Sequence, residues 1–392
     1  MAHPDIRLST FERVQYLWLV PIVLCKTILS TLTAVLTTRR VANLRRTFGC
    51  SFLRHWTHTL SFRQVCVFDV PTATTIRRFC AANNLAHTTI PVPVPPAADT
   101  ASSFHAAPVP PATLHLITPP SAASSSRPAA RTLLYLHGGG MAHPINDQGQ
   151  LALMLRCCAA AGAGSLAVLE YGLAPAHRYP TQPAQALAAL RALLAGGDRA
   201  PESVVVLGDS AGGTLALALL ASLREGRGPR GEDVRGWFAE RRRLAAVVAV
   251  SPWCGLGVGA ESYGRNAGWD FLSAEVMGGF VEAWGPRVGE VYGDMLGAAE
   301  RDDGMGEVFW RGVCGGEERV VERTLVTVGT REVFLDDVTE MARLMGAAEG
   351  ADGRVKFVKC ADEVHVGAVV DVALGIEGGD MLEAILTFLK GL

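Results

Sequence analysis

The sequence predicts an α/β fold in which helices flank a mostly parallel central sheet. From residue 131 onward, short apolar segments rich in Val, Leu and Ala alternate with helix-forming segments. Strands of a parallel sheet form continuous apolar runs because helices cover both faces of the sheet. Repeated strand–helix units favour parallel strands joined by right-handed crossovers. We therefore expect one α/β domain over residues 131–392.

The elements of this domain follow from the apolar pattern. The candidate strands are short apolar runs, at Thr132–Leu136, Leu166–Glu170, Val204–Leu207, Ala245–Val250, Thr324–Val328 and Val355–Val358. The candidate helices lie between these strands, at Gln148–Ala160, Ala184–Leu194, Thr214–Leu223 and Asp337–Met345.

Three segments differ from this alternating pattern. Residues 96–130 are rich in Pro, Ala and Ser, which is typical of extended surface segments, and they contain one candidate strand at Thr113–Thr118. Arg224–Arg243 is charged and contains Gly, which indicates a surface insertion. Residues 254–315 lie between two predicted strands and are too long for a simple loop. Because they contain helix-like pieces, we expect them to contribute to a lid.

The N-terminal region, residues 1–95, is predicted to be mainly helical. Its most apolar run is Leu17–Cys25, and a mixed stretch with Lys26 near its start continues to Thr37. A helix that spans a membrane needs about 20 mostly apolar residues. Three interpretations stay open: a spanning anchor, a helix lying in the membrane interface, and a soluble helix that covers the functional site.

Composition bounds the function. The formal net charge is −2 over 392 residues, which gives no electrostatic basis for binding nucleic acid. The chain has nine cysteines, none in a Cys-x-x-Cys pair and none at metal-ligand spacing with His. We therefore predict free thiols and no metal site.

Ser210 is the clearest candidate for chemistry. It lies in the sequence Gly208-Asp209-Ser210-Ala211-Gly212, between an apolar strand and a strong helix former. The chain must reverse sharply there, and side chains at the two glycine positions would collide with the turn. Such a turn exposes the serine hydroxyl and holds it in a strained conformation. We predict Ser210 as a nucleophile.

A second glycine-rich turn, His137-Gly138-Gly139-Gly140, also follows a predicted strand. Acyl transfer places negative charge on a carbonyl oxygen, and backbone amides must already point at that oxygen. Glycines let the backbone approach closely. We expect the amides of Gly138 and Gly139 to be donors, with the amide of Ala211 as the third. His137 precedes the nucleophile and is expected to hold the turn by hydrogen bonds.

The general base and the acid are predicted from chain order. In strand–Ser–helix hydrolases the order is Ser, acid, His, and His365 is the only histidine after Ser210. Glu332 lies just past a predicted strand, where an acid that orients the imidazole is expected. Asp336 and Asp337 lie where the next helix begins, and Asp is favoured there as a cap. Glu332 is our candidate and Asp336 the alternative.

With these motifs the sequence resembles the hormone-sensitive-lipase-like group of α/β-hydrolase esterases. The resemblance covers roughly residues 130–370. The segments that carry it are His137–Gly140, Gly208–Gly213, Tyr171–Pro180, Ser251–Trp253 and, in the predicted lid, Asp270. The family usually has Asp at the position of Glu332, so the third member of the triad differs in type.

The resemblance implies an α/β-hydrolase fold with an N-terminal helical cap over the acyl pocket. It implies hydrolysis of a hydrophobic small-molecule ester through an acyl-enzyme, with neither metal nor cofactor. Arylacetamide deacetylases and fungal sterol deacetylases of this group carry an N-terminal anchor. Membrane association, at the endoplasmic reticulum, is therefore expected, with a cytoplasmic protein as the alternative. The oligomeric state is left open.

Two other functions stay open. The Ala-, Arg- and Gly-rich cap and lid would suit a bulky product, as in a hydrolase or acyltransferase that tailors a secondary metabolite. A hydrolase fold can also serve as a small-molecule receptor. Receptors of that kind tend to lose the base, whereas His365 is present.

Overall fold

The structure is a computed structural model that describes residues 8–37, 43–97, 108–120, 131–195, 199–237, 242–301, 306–347 and 353–392. A central sheet of eight strands organises this part of the chain. The strands are β1 His87–Val92, β2 Ala112–Ile117, β3 Arg131–Leu136, β4 Ala163–Glu170, β5 Val204–Asp209, β6 Leu244–Val250, β7 Val321–Gly329 and β8 Val355–Cys360.

The strand order across the sheet is β1-β2-β4-β3-β5-β6-β7-β8. β2 is antiparallel to both β1 and β4. The six strands β3 to β8 are parallel to one another. The expectation of a mostly parallel sheet is therefore confirmed. Because the parallel strands all end at one edge, the loops that follow them lie close together, as ligand sites of this fold class require.

Each strand predicted for the parallel part lies inside an observed strand. The edge strand β1 was not predicted, because it lies within residues 1–95, which the sequence assigned to a mainly helical region. Its β-branched residues suit a pleated, half-exposed surface. Pro91 is tolerated because β1 is an edge strand and does not need every amide for pairing.

Helices surround the sheet. The N-terminal cap contains α1 Thr10–Thr37, α2 Leu44–Thr59, α3 Phe62–Cys66 and α4 Thr72–Ala82. Between β3 and β6 lie α5 Ala152–Ala161, which continues a π-helical turn at Asp147–Leu151, then α6 Thr181–Ala195 and α7 Ala211–Glu225. Between β6 and β7 lie α8 Glu261–Asn266, α9 Ala274–Trp284, α10 Met295–Ala299 and α11 Glu307–Cys314. The chain then adds α12 Leu335–Leu344, α13 Gly367–Ala373 and α14 Asp380–Lys390.

The core lies on both faces of the sheet. Alternate residues of a strand point to opposite faces, and in β5 the neighbours Val205 and Val206 belong to different apolar clusters. One cluster packs against α6, α7 and α12, and the other packs against α5 and α14. Since strands buried on both faces need apolar residues at every position, their apolar runs were visible in the sequence.

The cap is fixed to the α/β domain through an ion pair. Arg46 of α2 donates to both carboxylate oxygens of Asp371 on α13, at 2.7 and 2.5 Å. Asp371 is completely buried, and 13% of the Arg46 side chain is exposed. Removing one partner of a buried pair leaves an uncompensated charge, which typically costs about 3–5 kcal/mol. The α2 helix is therefore an integral part of the folded α/β domain.

Candidate active site

Ser210 lies at the sharp turn between β5 and α7. Its backbone has φ 53° and ψ −120°, a conformation that a residue with a side chain rarely adopts. The flanking glycines make this turn sterically feasible. A Cβ atom on Gly208 would lie 2.1 Å from the carbonyl oxygen of Gly212, and one on Gly212 would lie 1.9 Å from that of Leu136. A side chain is thus excluded at both positions, by the turn itself at Gly208, as expected, and by the end of β3 at Gly212.

His365 follows β8 and reaches this turn. Its Nε2 lies 2.8 Å from the hydroxyl oxygen of Ser210. The imidazole is buried against the rings of Phe334 and Phe271, with ring centroids 4.9 and 5.7 Å away. Burial disfavours the charged form and lowers the pKa of His365 to about 3. The ring is therefore neutral at pH 7 and able to accept a proton.

Glu332 is the carboxyl group nearest to the other side of this ring. Its Oε2 lies 3.9 Å from Nδ1 of His365 and accepts a hydrogen bond of 2.7 Å from Ser251. Neither Nδ1 of His365 nor Oε1 of Glu332 has a hydrogen-bond partner among the described residues, although both are buried. Burial, and then the neighbouring charge of Asp270, raise the pKa of Glu332. A small movement of either side chain would bring Oε2 of Glu332 within hydrogen-bond distance of Nδ1.

The alternative acid, Asp336, points away from the imidazole. Its carboxylate accepts hydrogen bonds from the amide of Ser262 at 2.8 Å and from Arg265 at 2.7 Å, both on α8. More than a third of the Asp336 side chain is exposed. The structure thus brings Glu332, and not Asp336, to His365.

Two residues that support the acid were not assigned a role from the sequence. The hydroxyl of Ser251, which directly follows β6, also accepts a 3.1 Å hydrogen bond from the amide of Val366, next to the base. The buried carboxyl of Asp270 accepts a 2.7 Å hydrogen bond from the amide of Val333, next to the acid. Burial raises the pKa of Asp270 to about 7. The Ser-Pro-Trp segment at a strand end was the signal that placed Ser251 at this edge.

The glycine turn after β3 differs from the expectation in one donor. The amide of Gly138 donates to a carboxylate oxygen of Asp209 at 3.0 Å, so it is already engaged. The amides of Gly139, Gly140 and Ala211 have no hydrogen-bond partner within the described ranges. Gly139 and Gly140 have φ values of 120° and 61°, which favour glycine. The candidate donor set is therefore these three amides, without Gly138.

Asp209 connects this turn to the nucleophile. Besides Gly138, its buried carboxylate accepts hydrogen bonds from the hydroxyl of Tyr135 at 2.5 Å and the side-chain amide of Gln150 at 2.9 Å. These three hydrogen bonds favour the charged carboxylate, but burial has the larger effect and raises the pKa of Asp209. The residue adjacent to Ser210 thus fixes the position of the glycine turn.

His137 holds the same turn from the other side. Its Nδ1 lies 2.8 Å from the carbonyl oxygen of Gly138, to which it donates, and its ring stacks on Tyr171 with centroids 4.3 Å apart. The Tyr171 hydroxyl donates to the carbonyl oxygen of His137 at 2.8 Å. Burial lowers the pKa of His137 to about 4, so the ring is neutral. These contacts agree with a positioning role for His137.

Comparisons with known proteins point in one direction. Residues 133–368 match the family with the α/β-hydrolase fold. An acetyl-hydrolase of Streptomyces hygroscopicus is 31% identical over 249 residues, which cover 62% of this chain and 69% of that protein. LipR of Mycobacterium tuberculosis, provisionally named an acetyl-hydrolase, is 35% identical over 192 residues. That match covers 46% of this chain and only about half of LipR (54%).

Solved structures share the fold. The crystal structure of an esterase from the bacterial hormone-sensitive lipase family aligns with a TM-score of 0.54 at 22% sequence identity. The alignment covers 94% of this chain and 97% of that esterase. The resemblance to hormone-sensitive-lipase-like hydrolases is therefore confirmed, and the chain belongs to the α/β-hydrolase family.

Proposed function

We propose that this chain is a serine carboxylic-ester hydrolase that removes a short acyl group from a hydrophobic alcohol. The observation that carries the proposal is the 2.8 Å contact between Ser210 Oγ and His365 Nε2 at the strained turn after β5. Glu332 behind the ring and the unpaired amides of the glycine turn supply the remaining parts of an acyl-transfer site. Relatives named acetyl-hydrolases support a short acyl group.

In the proposed reaction, the neutral imidazole of His365 accepts the hydroxyl proton of Ser210 while Oγ attacks the ester carbonyl carbon. The carbonyl oxygen becomes negatively charged and accepts hydrogen bonds from the amides of Gly139, Gly140 and Ala211. Losing one such donor typically costs about 3–4 kcal/mol of transition-state stabilisation. The hydrogen bond of Gly138 to Asp209 keeps the turn in place during this step.

The second half of the reaction returns the proton. The positive charge that forms on His365 favours the ionised form of Glu332, although burial raises the pKa of that carboxyl. The imidazolium then protonates the leaving alcohol, and an acyl-enzyme remains on Ser210. A water molecule, deprotonated by the same imidazole, attacks the acyl carbon and releases the acid.

Aromatic rings beside the glycine turn indicate a short acyl group. The Phe280 ring of α9 covers the turn so closely that a Cβ atom on Gly140 would lie 2.5 Å from it. Phe62 of the cap and His143 both pack edge-on against that ring, with centroids 6.2 and 5.7 Å away. Bulky rings from the cap and the predicted lid thus occupy the space next to the donors, and we infer that they limit the length of the acyl chain.

A panel of p-nitrophenyl esters tests the proposal. We expect kcat/KM to fall by about tenfold or more from acetyl to octanoyl esters, since overpacking of that size costs at least about 1–3 kcal/mol. Phe280→Ala is expected to raise the octanoyl-to-acetyl ratio, whereas Phe309→Ala on α11 serves as the control and leaves it unchanged.

Two outcomes of the panel would count against the proposal. Folded protein that hydrolyses none of the esters contradicts the assigned activity. A preference for octanoyl esters contradicts the short acyl pocket only. Adding an alcohol acceptor to the same assay separates hydrolysis from the acyl transfer that a tailoring enzyme would perform.

We also propose that α1 binds the membrane surface without spanning it. By length and composition, α1 is apolar enough to cross a membrane, and little of it is buried. However, its Tyr16 donates to the backbone of Gln64 at 2.7 Å, and its Ser30 lies 2.8 Å from Nε2 of His55. The rest of the cap therefore contacts α1 along about 21 Å of its length (14 residues at 1.5 Å each).

The polarity of α2 argues against insertion across the bilayer. α2 packs along α1 and carries Arg45, Arg46 and Arg54, which a spanning α1 would draw into the hydrocarbon. The buried residues of α1 are of small or moderate size, namely Val23, Thr27 and Thr31. The opposite side exposes large apolar residues, as an interfacial helix does. The compartment, including the endoplasmic reticulum, stays a prediction.

Substitutions on α1 test the membrane proposal. Because burying one Leu contributes about 1.5–3 kcal/mol, Leu17→Ser with Leu29→Ser is expected to weaken binding to phosphatidylcholine–phosphatidylserine vesicles by about tenfold or more. The control is Val308→Ser, because this apolar side chain on α11 is at least as exposed as the two leucines. We expect alkaline carbonate to release the wild-type protein from membranes, and resistance to it would contradict the interfacial arrangement. Point substitutions suit this test better than truncation, because α1 is packed into the cap.

A further inference from the structure

Three side chains of types that bind metals lie close together outside the Ser210 site, where the cap meets the glycine turn. Cys66 ends α3, and Asp69 follows in a turn closed by a 3.1 Å hydrogen bond from its amide to the carbonyl of Cys66. His143 lies three residues after the last glycine of the turn. Its Nδ1 is 2.9 Å from Oδ2 of Asp69 and 3.9 Å from Sγ of Cys66. All three ligand atoms lie within 4.8 Å of one another.

We propose that Cys66, Asp69 and His143 bind one Zn²⁺ ion. A thiolate, an imidazole and a carboxylate are the ligands that Zn²⁺ takes from proteins, and the thiolate disfavours the hard ions Mg²⁺ and Ca²⁺. No metal site was predicted from the sequence, because these three residues do not share a local spacing pattern. His143 is far from the two cap residues along the chain, so only the fold brings the set together.

The separations suit a tetrahedral ion. With Zn–S of about 2.3 Å, and Zn–N and Zn–O of about 2.0–2.1 Å, tetrahedral angles place the ligand atoms about 3.3–3.6 Å apart. Nδ1 and Oδ2 need to separate, and Nδ1 and Sγ to approach, by only a few tenths of an ångström. His143 and Asp69 are each about one-fifth exposed, which gives the ion a route of entry and leaves a fourth position for water.

The balance of the binding step is simple. The S–H bond of Cys66 is replaced by an S–Zn bond, and the thiol proton passes to solvent. His143 binds through the lone pair of Nδ1 and carries its ring proton on Nε2. Asp69 contributes one carboxylate oxygen. No oxidant or reductant takes part, since Zn²⁺ has a single oxidation state in this chemistry.

The ion would couple the cap to the candidate oxyanion turn. The amide of His143 donates to the carbonyl oxygen of Gly139 at 2.8 Å, so His143 is already fixed to the glycine turn. Cys66 and Asp69 belong to the cap. A bound ion would therefore hold these two parts together and stabilise the contact between them. This inference does not depend on ester hydrolysis, because its readouts are binding and thermal stability.

Metal titration of the full-length chain tests the proposal. We expect one Zn²⁺ per chain by calorimetry, and a rise in Tm of about 3 °C when free Zn²⁺ exceeds Kd a hundredfold. Co²⁺ used as a spectroscopic probe is expected to give tetrahedral visible bands and a thiolate-to-cobalt charge-transfer band. Cys66→Ser and Asp69→Asn should each weaken Zn²⁺ binding by at least about tenfold, and Cys66→Ser should abolish the charge-transfer band.

The controls distinguish binding at this site from binding of Zn²⁺ to another thiol or to His365. Cys25→Ser removes an exposed thiol on α1 and should leave affinity and the charge-transfer band unchanged. Three results would overturn the proposal: wild-type protein that binds no Zn²⁺, binding that is lost in Cys25→Ser but retained in Cys66→Ser, or binding that depends on His365 and not on Cys66. The last result would place the ion beside the nucleophile.

Discussion

Replacing Ser210 with Ala is expected to lower kcat for acetyl-ester hydrolysis by about 10⁵-fold or more while the fold is retained. The serine of a triad acts with its base as one unit, and its removal typically costs nearly everything that the triad contributes. Ala keeps the Cβ atom and the strained backbone of the turn, so only the hydroxyl and its 2.8 Å contact with His365 are lost. Steady-state turnover and labelling by a fluorophosphonate probe measure the effect, and labelling is expected to disappear.

Ser203→Ala is the matched control for this substitution. Ser203 directly precedes the same strand, and its hydroxyl donates to the carbonyl oxygen of Ala200, away from the candidate site. We expect this variant to keep wild-type turnover and labelling. If wild-type and Ser210→Ala proteins hydrolysed esters equally, both near the uncatalysed rate, the receptor function would be favoured instead. Retained high activity in Ser210→Ala would assign the nucleophile elsewhere.

The parts of the site that depend on short-range sterics were predictable from the sequence. Gly208 is required because backbone atoms of Gly212 occupy the space where its side chain would lie, and this constraint is written into five consecutive residues. At Gly212 the occupying atoms belong to Leu136 at the end of β3, which is distant in the sequence. His365 followed from chain order, since one histidine comes after Ser210. The strands were predictable because burial on both faces requires apolar residues at each position.

The parts that depend on long-range contacts were not predictable in this way. The amide of Gly138 is an available donor in sequence terms, and only the packing of β3 beside β5 places the Asp209 carboxylate 3.0 Å from it. The roles of Ser251 and Asp270 also depend on the fold. Ser251, at the end of β6, accepts a hydrogen bond from the residue after His365, and Asp270, in the predicted lid, accepts one from the residue after Glu332. Their residue types allow many roles, and the fold selects one for each.

Glu332→Gln is expected to lower kcat by about 10³–10⁴-fold, as is typical when the acid of a triad is neutralised. Gln has nearly the same size, so the buried side chain still fits between Ser251 and the imidazole. The negative charge that stabilises the protonated imidazole is lost. For the same reason the pKa of His365 in the variant should fall further. The acidic limb of the kcat/KM profile should therefore move to lower pH, a shift that a loss of packing alone would not cause.

Asp336→Asn is the control, because Asp336 was the alternative acid. Its contacts with Arg265 and the amide of Ser262 are near the surface, where an ion pair typically contributes 0 to about 1 kcal/mol. We expect kcat within about threefold of wild type and an unchanged pH profile. A large loss in Asp336→Asn with a small one in Glu332→Gln would mean that α8 releases Asp336 during turnover. Glu332, with one methylene more than the Asp that the family usually has, would then have no role as the acid. Its carboxylate would stay 3.9 Å from His365 during the reaction.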